Sequence, residues 1–438
     1  MHLTGPTATI DASGWLDIAA TFETEHAMAN ARNRSTLARH GQLRSPGPIR
    51  HLMGVAGVVL SVILASTVGV GVFVVADLQA DVVADAVVLD STGSVPPDIG
   101  GYEGGFDLLL TGIDVCEPEI AHLFPGRCDG PDAQGRLNDV NLLVHVSDEP
   151  RRITAVSFPR DLMMPIPECI DSSGNTISVM SKQPLNSTYT YGGLNCVAKS
   201  ISALTGQDIE FAASVTFGGV IKITDAIGGV EVCLATPIRD AQTQLDMAAG
   251  THTISGLAAL QFLRTRYGVG DGSDLGRIGN QQQYMSSLAR KMLSSEVLGD
   301  LPTLLRLADT ALRNLEASTT LTNPITVAQI ALAVKDVPFA DVVFVQYPTL
   351  TDPENPNRVV PDLVTAQTIW DAINANQPLQ ITRQNTGTDG VVTQGPATPS
   401  PDPGSTASPT PPDSTVALPE SVRGTSANER TCSNGNVR

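Results

Sequence analysis

The segment FDLLLTGI at residues 106–113 is a short, mostly apolar run that predicts a β-strand buried on both faces. Two similar runs follow, VNLLVHV at 140–146 and ITAVSF at 153–158, and Pro159 ends the second of them. Helical patterns alternate with such strands further along the chain. This alternation is typical of an α/β fold with a mixed central sheet covered by helices, and an α+β arrangement is the alternative.

The later elements follow from apolar spacing and from residues that begin or end helices. Ser255 is a suitable N-cap for one of the helices. The predicted helices lie at 197–204, 217–226, 257–263, 277–293 and 300–315, and the predicted strands at 230–234 and 342–345.

Composition limits the folded part to one domain. The chain has 438 residues, but 379–438 is rich in Pro, Ser and Thr, and 1–51 has no sustained apolar pattern. Both ends are therefore expected to be largely disordered, because they cannot bury enough apolar surface. The domain is placed at 106–378. A net charge of −18 argues against nucleic acid as a partner.

A second informative segment is the uncharged, mostly apolar run of 25 residues at 52–76. It exceeds the roughly 20 residues that cross a bilayer core. Arginines at 32, 34, 39, 44 and 50 precede it and aspartates follow it, so the positive-inside rule predicts a cytoplasmic N-terminus. We expect a single-pass anchor in the cell membrane, an extracellular linker at 77–105 and an extracellular domain. A cleaved signal peptide is the alternative.

Six cysteines fit an extracellular domain, where disulfides persist. There is no C-x-x-C pair, so the sequence does not support a zinc site. Cys169 is expected to pair with Cys196, and Cys116 with Cys128. The fifth cysteine of the domain, Cys233, is then left free or joined to Cys432 in the tail.

The run LQFLRTRYGVGDGSDLGRIGNQQQ at 260–283 gathers three arginines in an acidic chain. Arg264 and Arg266 point the same way if the backbone is extended, and Arg277 returns from the next helix. Such a group predicts a site for a strongly anionic ligand. The alternative is a set of surface ion pairs with Asp271 and Asp274.

Charged residues also lie where the predicted strands begin or end. Asp114 follows the first strand, Asp139 precedes the second, and Arg160 and Asp161 follow the third. Ligands of open α/β sheets collect at strand ends. Two carboxylates on neighbouring strands can hold Mg²⁺ together with phosphate oxygens. Asp114 and Asp139 are therefore the candidate metal ligands, with a role in a turn or cap as the alternative for each.

The ordered set of motifs resembles the LytR-CpsA-Psr family of cell-wall enzymes, in its actinobacterial branch. The matching segments are LLLTGID (108–114), RLNDVNLLVHV (136–146), SFPRDLMMPIP (157–167), LNSTYTYGG (185–193), DAIGGVEV (225–232) and ISGLAALQFLRTRYGVGDGSDLGRIGNQQQ (254–283). The resemblance implies a Mg²⁺-dependent phosphotransferase. Such an enzyme joins a glycopolymer from a polyprenyl-pyrophosphate carrier to a peptidoglycan hydroxyl through a phosphodiester.

The resemblance also implies roles for single residues. Asp114 and Asp139 match the Mg²⁺-associated aspartates, and Asp161 and Asp274 match acids that orient arginines or assist the acceptor hydroxyl. The pyrophosphate-binding set is Arg136, Arg160, Arg264, Arg266, Arg277 and Gln281, and all of these except Arg136 and Gln281 are also catalytic candidates with the two acids.

Two positions depart from the family pattern. The family has arginine two residues before the aspartate that matches Asp139, where this chain has Leu137 and places Arg136 one position earlier. A shift of one residue along a strand turns a side chain to the other face. Asn280 replaces an arginine before the glutamines. A polyprenyl-pyrophosphate pyrophosphatase and a non-catalytic lipid-binding or regulatory protein are the alternative functions.

Overall fold

A computed structural model describes residues 86–89, 102–123, 128, 135–292, 310–383, 389–393 and 415–436. The chain divides into two units, Met1–Thr67 and Val68–Arg438, and all described residues belong to the second. No helix within the described ranges is long and apolar enough to cross a membrane. The span predicted at 52–76 lies outside the described residues.

The strands are numbered along the chain. They are β1 (Phe106–Asp114), β2 (Leu137–Val146), β3 (Ile153–Phe158), β4 (Met163–Ile166), β5 (Cys169–Ile170), β6 (Thr176–Ile177), β7 (Met180–Pro184), β8 (Phe211–Val215), β9 (Val230–Leu234), β10 (Ile238–Asp240), β11 (Leu245–Met247), β12 (Gly250–Ile254), β13 (Leu315–Ala317), β14 (Val342–Gln346), β15 (Thr349–Thr351), β16 (Val359–Pro361), β17 (Leu379–Gln380), β18 (Val391–Thr393), β19 (Val416–Ala417), β20 (Gly424–Ser426) and β21 (Thr431–Ser433).

The α-helices of the described residues are numbered in the same way. They are α1 (Thr188–Thr205), α2 (Phe217–Ala226), α3 (Gly256–Arg264), α4 (Asp274–Met292), α5 (Pro324–Val334) and α6 (Leu363–Asn374).

The central sheet is mixed, as the alternation of elements predicts. Its strand order is β13-β8-β1-β2-β3-β14-β20. β1 is parallel to β8 and antiparallel to β2, and β3 is antiparallel to β2 and parallel to β14. The carboxyl ends of β1, β3, β8 and β14 therefore lie at the same edge of the sheet, beside the start of β2.

Helices cover both faces of this sheet. On one face, Leu109 and Leu143 pack in a large core with α1 and α6, represented by Val197 and Trp370. On the other face, Leu142 packs with partly buried residues of α4, and Phe106 with those of α5. Alternate residues of β1 and β2 pack on opposite faces of the sheet. Because both faces are covered, the two strands are continuous apolar runs in the sequence.

A second sheet has the order β12-β9-β21-β18 and packs on α4. Its core joins Val230 and Val232 of β9 to Phe262 of α3 and Tyr284 of α4. Helix α4 thus lies between the two sheets, and its first residues are held by both.

The expectation of a disordered tail at 379–438 is wrong for residues 379–383, 389–393 and 415–436. β20 extends the central sheet along β14, and β21 lies between β9 and β18. Cys432 is bonded to Cys233, in addition to the expected pairs Cys116–Cys128 and Cys169–Cys196. The polar composition did not predict these strands, because short strands can add backbone hydrogen bonds to an existing sheet without a large apolar core of their own.

Most predicted elements agree with the structure. The helix at Phe217–Ala226 and the strand at Val230–Leu234 have the predicted bounds, and Ser255 is the N-cap of α3. The helix predicted at 300–315 lies largely outside the described residues. Leu315, the last residue of that predicted helix, is instead the first residue of β13. This strand pairs with β8 and forms one edge of the central sheet.

Candidate active site

The strand-end residues singled out in the sequence lie at one edge of the central sheet. Asp114 ends β1, Asp139 is the third residue of β2, and Arg160 and Asp161 follow the end of β3. β1 and β3 run in the same direction on either side of the antiparallel β2. The order of the strands therefore brings these residues to one place, as predicted.

A β-bulge sets the position of Asp139. Gly112 is paired with Val140 and Ile113 with Asn138, so Asp139 is the extra residue on β2. Bulges re-aim side chains and are frequent near active sites. Asn138 points away into the core, where its side chain bonds to Asn141 at 2.8 Å and to the Leu185 carbonyl at 3.1 Å.

An ion-pair cluster forms around Asp139. Nη1 of Arg160 lies 3.1 Å from Oδ1 and 3.2 Å from Oδ2 of Asp139. Nη2 of Arg277 lies 3.5 Å from the Asp139 carbonyl oxygen. Arg277 belongs to the first turn of α4 and is 7% exposed. The positive end of the helix dipole thus adds to the two guanidinium groups.

Asp161 extends the cluster in the other direction. One of its oxygens, Oδ2, lies 3.5 Å from Nε of Arg160, and Oδ1 contacts Nη1 of Arg358. Charges therefore alternate along Arg358, Asp161, Arg160 and Asp139. Sequence reasoning missed Arg358, which stands in NPNRVV with no motif around it.

Arg264 is the last residue of α3 and lies over the first residue of α2. Its Cζ atom is 4.4 Å from the centre of the Phe217 ring, within the range of a cation–π contact. Phe217 follows β8, whose carboxyl end is at the same sheet edge. Glu117 accepts hydrogen bonds from Thr216 and Gly218 and so fixes the start of α2.

Arg266 lies on a short loop after α3. Its Cζ atom is 5.4 Å from the Tyr267 ring centre, and the Tyr267 side chain is exposed. The Nε atom of Arg266 is buried, and no described residue accepts a hydrogen bond from it. A buried donor without an acceptor is costly, and an anionic ligand would supply one.

Asp240 holds this loop. It is 3% exposed, and its Oδ2 accepts hydrogen bonds from the backbone nitrogens of Arg266 at 3.0 Å and Gly268 at 3.2 Å and from Thr265 Oγ1 at 3.3 Å. Sequence reasoning missed Asp240, because only the folded hairpin of β10 and β11 brings it beside residues 25 or more positions away.

The C-terminal segment supports the same loop from another side. Asn436 donates from its backbone to Gly268 and from its side chain to Tyr267, and Gly270 donates to Asn434. The disordered tail expected from composition thus includes residues that fix the arginine loop.

Gln281 and Asn280 bind the end of α3. The Gln281 side chain donates to the Leu263 carbonyl at 3.0 Å, and that of Asn280 donates to the Phe262 carbonyl at 2.8 Å. Both residues are buried. These contacts hold the last turn of α3, which carries Arg264, whereas the sequence had assigned Gln281 to the ligand itself.

Leu137 is the first residue of β2, and Arg136 comes directly before it. Their side chains have different surroundings. Leu137 is paired with Asp114, while the Arg136 guanidinium lies 5.3 Å from the ring centre of Tyr189. Tyr189 packs in the core that α1 forms and its hydroxyl bonds to Glu316. Burial, and secondarily Glu316, raises the pKa of Tyr189. The register places Leu137, and not Arg136, beside Asp114.

Asp114 and Asp139 are the residues that would hold a Mg²⁺ ion at this sheet edge. Asp114 and Asp139 supply carboxylates from neighbouring strands, which suits a cation that takes oxygen ligands and keeps waters or phosphate oxygens. No group of three or more His, Cys, Asp or Glu residues within the described ranges could hold a metal ion by itself. Two carboxylates fit a Mg²⁺ ion that arrives with a phosphate ligand. Asp274 begins α4, and its side chain lies outside the described residues.

Comparison with known proteins decides the family. The LytR_cpsA_psr family model matches residues 82–373. The chain belongs to the LytR-CpsA-Psr family.

Its curated relatives include proteins of cell-wall assembly. The chain is 29% identical over 241 residues to the cell wall biosynthesis protein LcpA of Corynebacterium glutamicum, which covers 50% of this chain and 45% of the relative. It is 24% identical over 238 residues to the polyisoprenyl-teichoic acid–peptidoglycan teichoic acid transferase TagT of Bacillus subtilis, covering 53% of this chain and 66% of the relative. The chain spans about half the length of the Corynebacterium relatives it matches, and these relatives belong to the actinobacterial branch.

Two solved structures align with part of the chain. A LytR-Csp2A-Psr enzyme from Actinomyces oris aligns with a TM-score of 0.46 at 22% identity, covering 66% of this chain and 94% of the other. A protein of Streptococcus agalactiae aligns with a TM-score of 0.48 at 18% identity, covering 62% and 87%.

Proposed function

We propose that this protein transfers a glycopolymer from a polyprenyl-pyrophosphate carrier to a hydroxyl of peptidoglycan, and that a phosphodiester joins the two. The observation that carries the proposal is the cluster of Arg160, Arg277 and Asp139 at the sheet edge. Phosphoryl transfer needs positioning and charge neutralisation more than covalent catalysis. Guanidinium groups held by a carboxylate and a helix start supply both.

The arginines are proposed to bind the two phosphates of the donor. Arg160 and Arg277 approach from β3 and α4, and Arg264 and Arg266 from the end of α3 and its loop. Guanidinium forks match phosphate oxygens in pairs. A Mg²⁺ ion bound by Asp114 and Asp139 would neutralise further phosphate charge.

In the proposed reaction, the acceptor oxygen bonds to the phosphorus that carries the glycan. The bond from this phosphorus to the bridging oxygen of the pyrophosphate breaks, and polyprenyl phosphate leaves with that oxygen. The proton of the acceptor hydroxyl is released to water. The arginines stabilise the negative charge that gathers on the leaving phosphate.

Asp161 is proposed to orient arginines in this reaction. The sequence left two roles open for it, orientation or assistance to the acceptor hydroxyl. Each of its carboxylate oxygens contacts a guanidinium group, of Arg160 or of Arg358. This occupancy supports the orienting role.

We propose that the domain lies outside the cell membrane, anchored by the span at 52–76. The three disulfides are consistent with an oxidising compartment. An anchor would keep the active site near a lipid-linked donor. Arabinogalactan is the proposed polymer, because the Corynebacterium relatives point to the actinobacterial branch. Teichoic-acid-like or capsular glycans are the other polymers to test.

The test is a product analysis with the full-length protein in lipid vesicles. Polyprenyl-pyrophosphate-linked glycan is supplied with and without peptidoglycan, and the products are identified by mass spectrometry. A glycan joined to peptidoglycan through phosphate supports the transferase. Free glycan phosphate in both reactions would indicate a pyrophosphatase, and unchanged donor would indicate a lipid-binding protein.

Two variants complete this test. Arg277→Ala is expected to abolish transfer. Arg151→Ala is the matched control, because Arg151 contacts backbone carbonyls of Tyr102 and Gly104 at the opposite edge of the sheet. Equal activity of the two variants would contradict the proposed site.

A further inference from the structure

Arg358 joins the active-site cluster from a separate hairpin. It lies between β15 and β16, and its Nη1 contacts Oδ1 of Asp161. Its side chain is 33% exposed and that of Asp161 is 24% exposed. The contact is therefore partly shielded from water, which strengthens it relative to an ion pair on the open surface.

The backbone also fixes Arg358 beside Asp161. Val359 donates to the Asp161 carbonyl at 3.4 Å, and Leu162 and Val359 form a parallel bridge. Arg358 itself donates to Asn355 and accepts from Asp352 within the hairpin. The guanidinium group of Arg358 thus contacts the Asp161 side chain, while the next residue of the same hairpin, Val359, is hydrogen-bonded to the Asp161 backbone.

The two oxygens of Asp161 are divided between two arginines. Arg358 takes Oδ1, and Nε of Arg160 lies 3.5 Å from Oδ2. Without Arg358, the Asp161 carboxylate would be free to rotate and hold Arg160 with both oxygens, a geometry that carboxylates and guanidinium groups favour. Arg160 would then move away from Asp139 and toward Asp161.

We infer that Arg358 is a positioning residue, which holds Asp161 so that Arg160 keeps its Nη atoms at Asp139 and toward the donor phosphates. The inference rests on the proposed function, because it assigns a role in binding the pyrophosphate. Arg358 acts through Asp161 in this arrangement, so its contribution depends on the charge of Asp161.

The experiment measures binding of farnesyl pyrophosphate, a short polyprenyl pyrophosphate, to the full-length protein by calorimetry. Arg358→Gln keeps most of the side-chain volume and removes the charge, and we expect it to weaken binding about tenfold, as for loss of one charge-assisted contact. Arg358→Lys is expected to restore part of the affinity, because lysine keeps the charge but lacks the fork.

A double-mutant cycle separates an indirect role from a direct one. In an Asp161→Asn background, Arg358→Gln should weaken binding by less than about twofold, since the charge it would hold is gone. A tenfold loss in that background would overturn the inference, because Arg358 would then act without Asp161.

Lys182→Ala is the matched control for the hairpin. Lys182 binds Asp352 at 2.9 Å and Glu354 at 2.5 Å, and so holds the same hairpin without contacting Asp161. Binding should be unchanged in this variant. A loss equal to that of Arg358→Gln would overturn the inference in favour of hairpin anchoring.

The proposed function and this inference fail in different ways. If the unaltered protein did not bind farnesyl pyrophosphate, the proposed function would fail and the inference with it. If the protein bound the ligand and Arg358→Gln bound it equally well at the same thermal midpoint, the inference alone would be overturned.

Discussion

Asp139 contacts two arginines that come from different parts of the chain. Its carboxylate binds Arg160, and its backbone carbonyl accepts from Arg277. A single bulge residue thus links the end of β3 to the start of α4. The carboxylate and the carbonyl of Asp139 thus hold one guanidinium group each before a ligand arrives, and such preorganisation lowers the cost of binding.

At the opposite edge of the sheet, single residues set a pH dependence of stability. Burial raises the pKa of Glu210 to about 7 from its ordinary value of 4.5. Its Oε2 accepts a hydrogen bond from Asp107, whose own pKa is raised by burial. Between pH 4.5 and 7 the folded chain therefore binds more protons at Glu210 than the unfolded chain does.

We expect the contribution of Glu210 to the free energy of unfolding to be present in full below about pH 4.5, to fall as the pH rises, and to be lost above the folded-state pKa of about 7. Glu210→Gln keeps an acceptor oxygen and removes the titration, so at pH 8 it should be more stable than the unaltered protein by on the order of 1 kcal/mol, after allowance for partial exposure. Urea unfolding across the pH range measures this.

Glu103→Gln is the control for Glu210, because Glu103 is exposed near the same edge. Its difference from the unaltered protein should be small at every pH. A Glu210→Gln curve parallel to that of the unaltered protein would contradict the assignment.

At the scale of elements, the loop after α3 is held by residues far from it in sequence. Asp240 fixes the backbone at Arg266 and Gly268, and the segment around Asn436 binds the other side. Gly268 has no room for a side chain, because an added Cβ would lie 2.9 Å from the Arg239 carbonyl oxygen. The position of Arg266 therefore depends on two segments that are distant from it in the sequence.

Asp240→Ala should destabilise the fold by about 1–3 kcal/mol, because buried amide donors would lose their acceptor. It should also weaken farnesyl pyrophosphate binding, since the loop that carries Arg266 would lose its support. Chemical denaturation and calorimetry give the two values.

Asp246→Ala is the control on the same hairpin. Its ion pair with Arg239 at 3.2 Å is largely exposed, so its loss should cost less than about 1 kcal/mol. Equal effects of the two substitutions would show that Asp240 has no special role.

Local patterns were sufficient to predict several elements. Apolar runs identified β1 and β3, and a helical pattern with a glycine stop gave α2 with its observed bounds. The bulge at Asp139 could not be predicted, because it arises from the pairing of β2 with β1. The contact of Gln281 with the Leu263 carbonyl could not be predicted either, because it exists only after α3 and α4 pack together. The assignment of Gln281 to the ligand stays a prediction.

At the scale of the whole molecule, the C-terminal segment closes the fold. β20 adds to the central sheet, β21 joins the second sheet, and Cys432 is bonded to Cys233 across 199 residues. Composition could not predict this order, because it averages over the whole tail, whereas the few apolar side chains of this segment, such as Leu418 and Val422, are buried in the main core. The positions of Asp114, Asp139 and Arg160 were predictable, since strand order alone brings them together.

Removal of the long-range disulfide should cost more than removal of a short-range one. In the chain-entropy model, closing a loop of 199 residues stabilises the folded state by about 2.5 kcal/mol more than closing a loop of 12 residues. Cys233→Ser with Cys432→Ser should therefore destabilise the protein more than Cys116→Ser with Cys128→Ser. Urea unfolding under oxidising conditions compares them, and an equal or reversed order would contradict a closing role for the C-terminal segment.

The most direct test of the proposed site is a crystal structure with farnesyl pyrophosphate bound. We expect its phosphate oxygens within about 3 Å of the guanidinium nitrogens of Arg160 and Arg277, with Arg264 and Arg266 on the same ligand. A pyrophosphate bound elsewhere, with Arg160 and Arg277 keeping their contacts with Asp139 and making none with the ligand, would contradict the proposal.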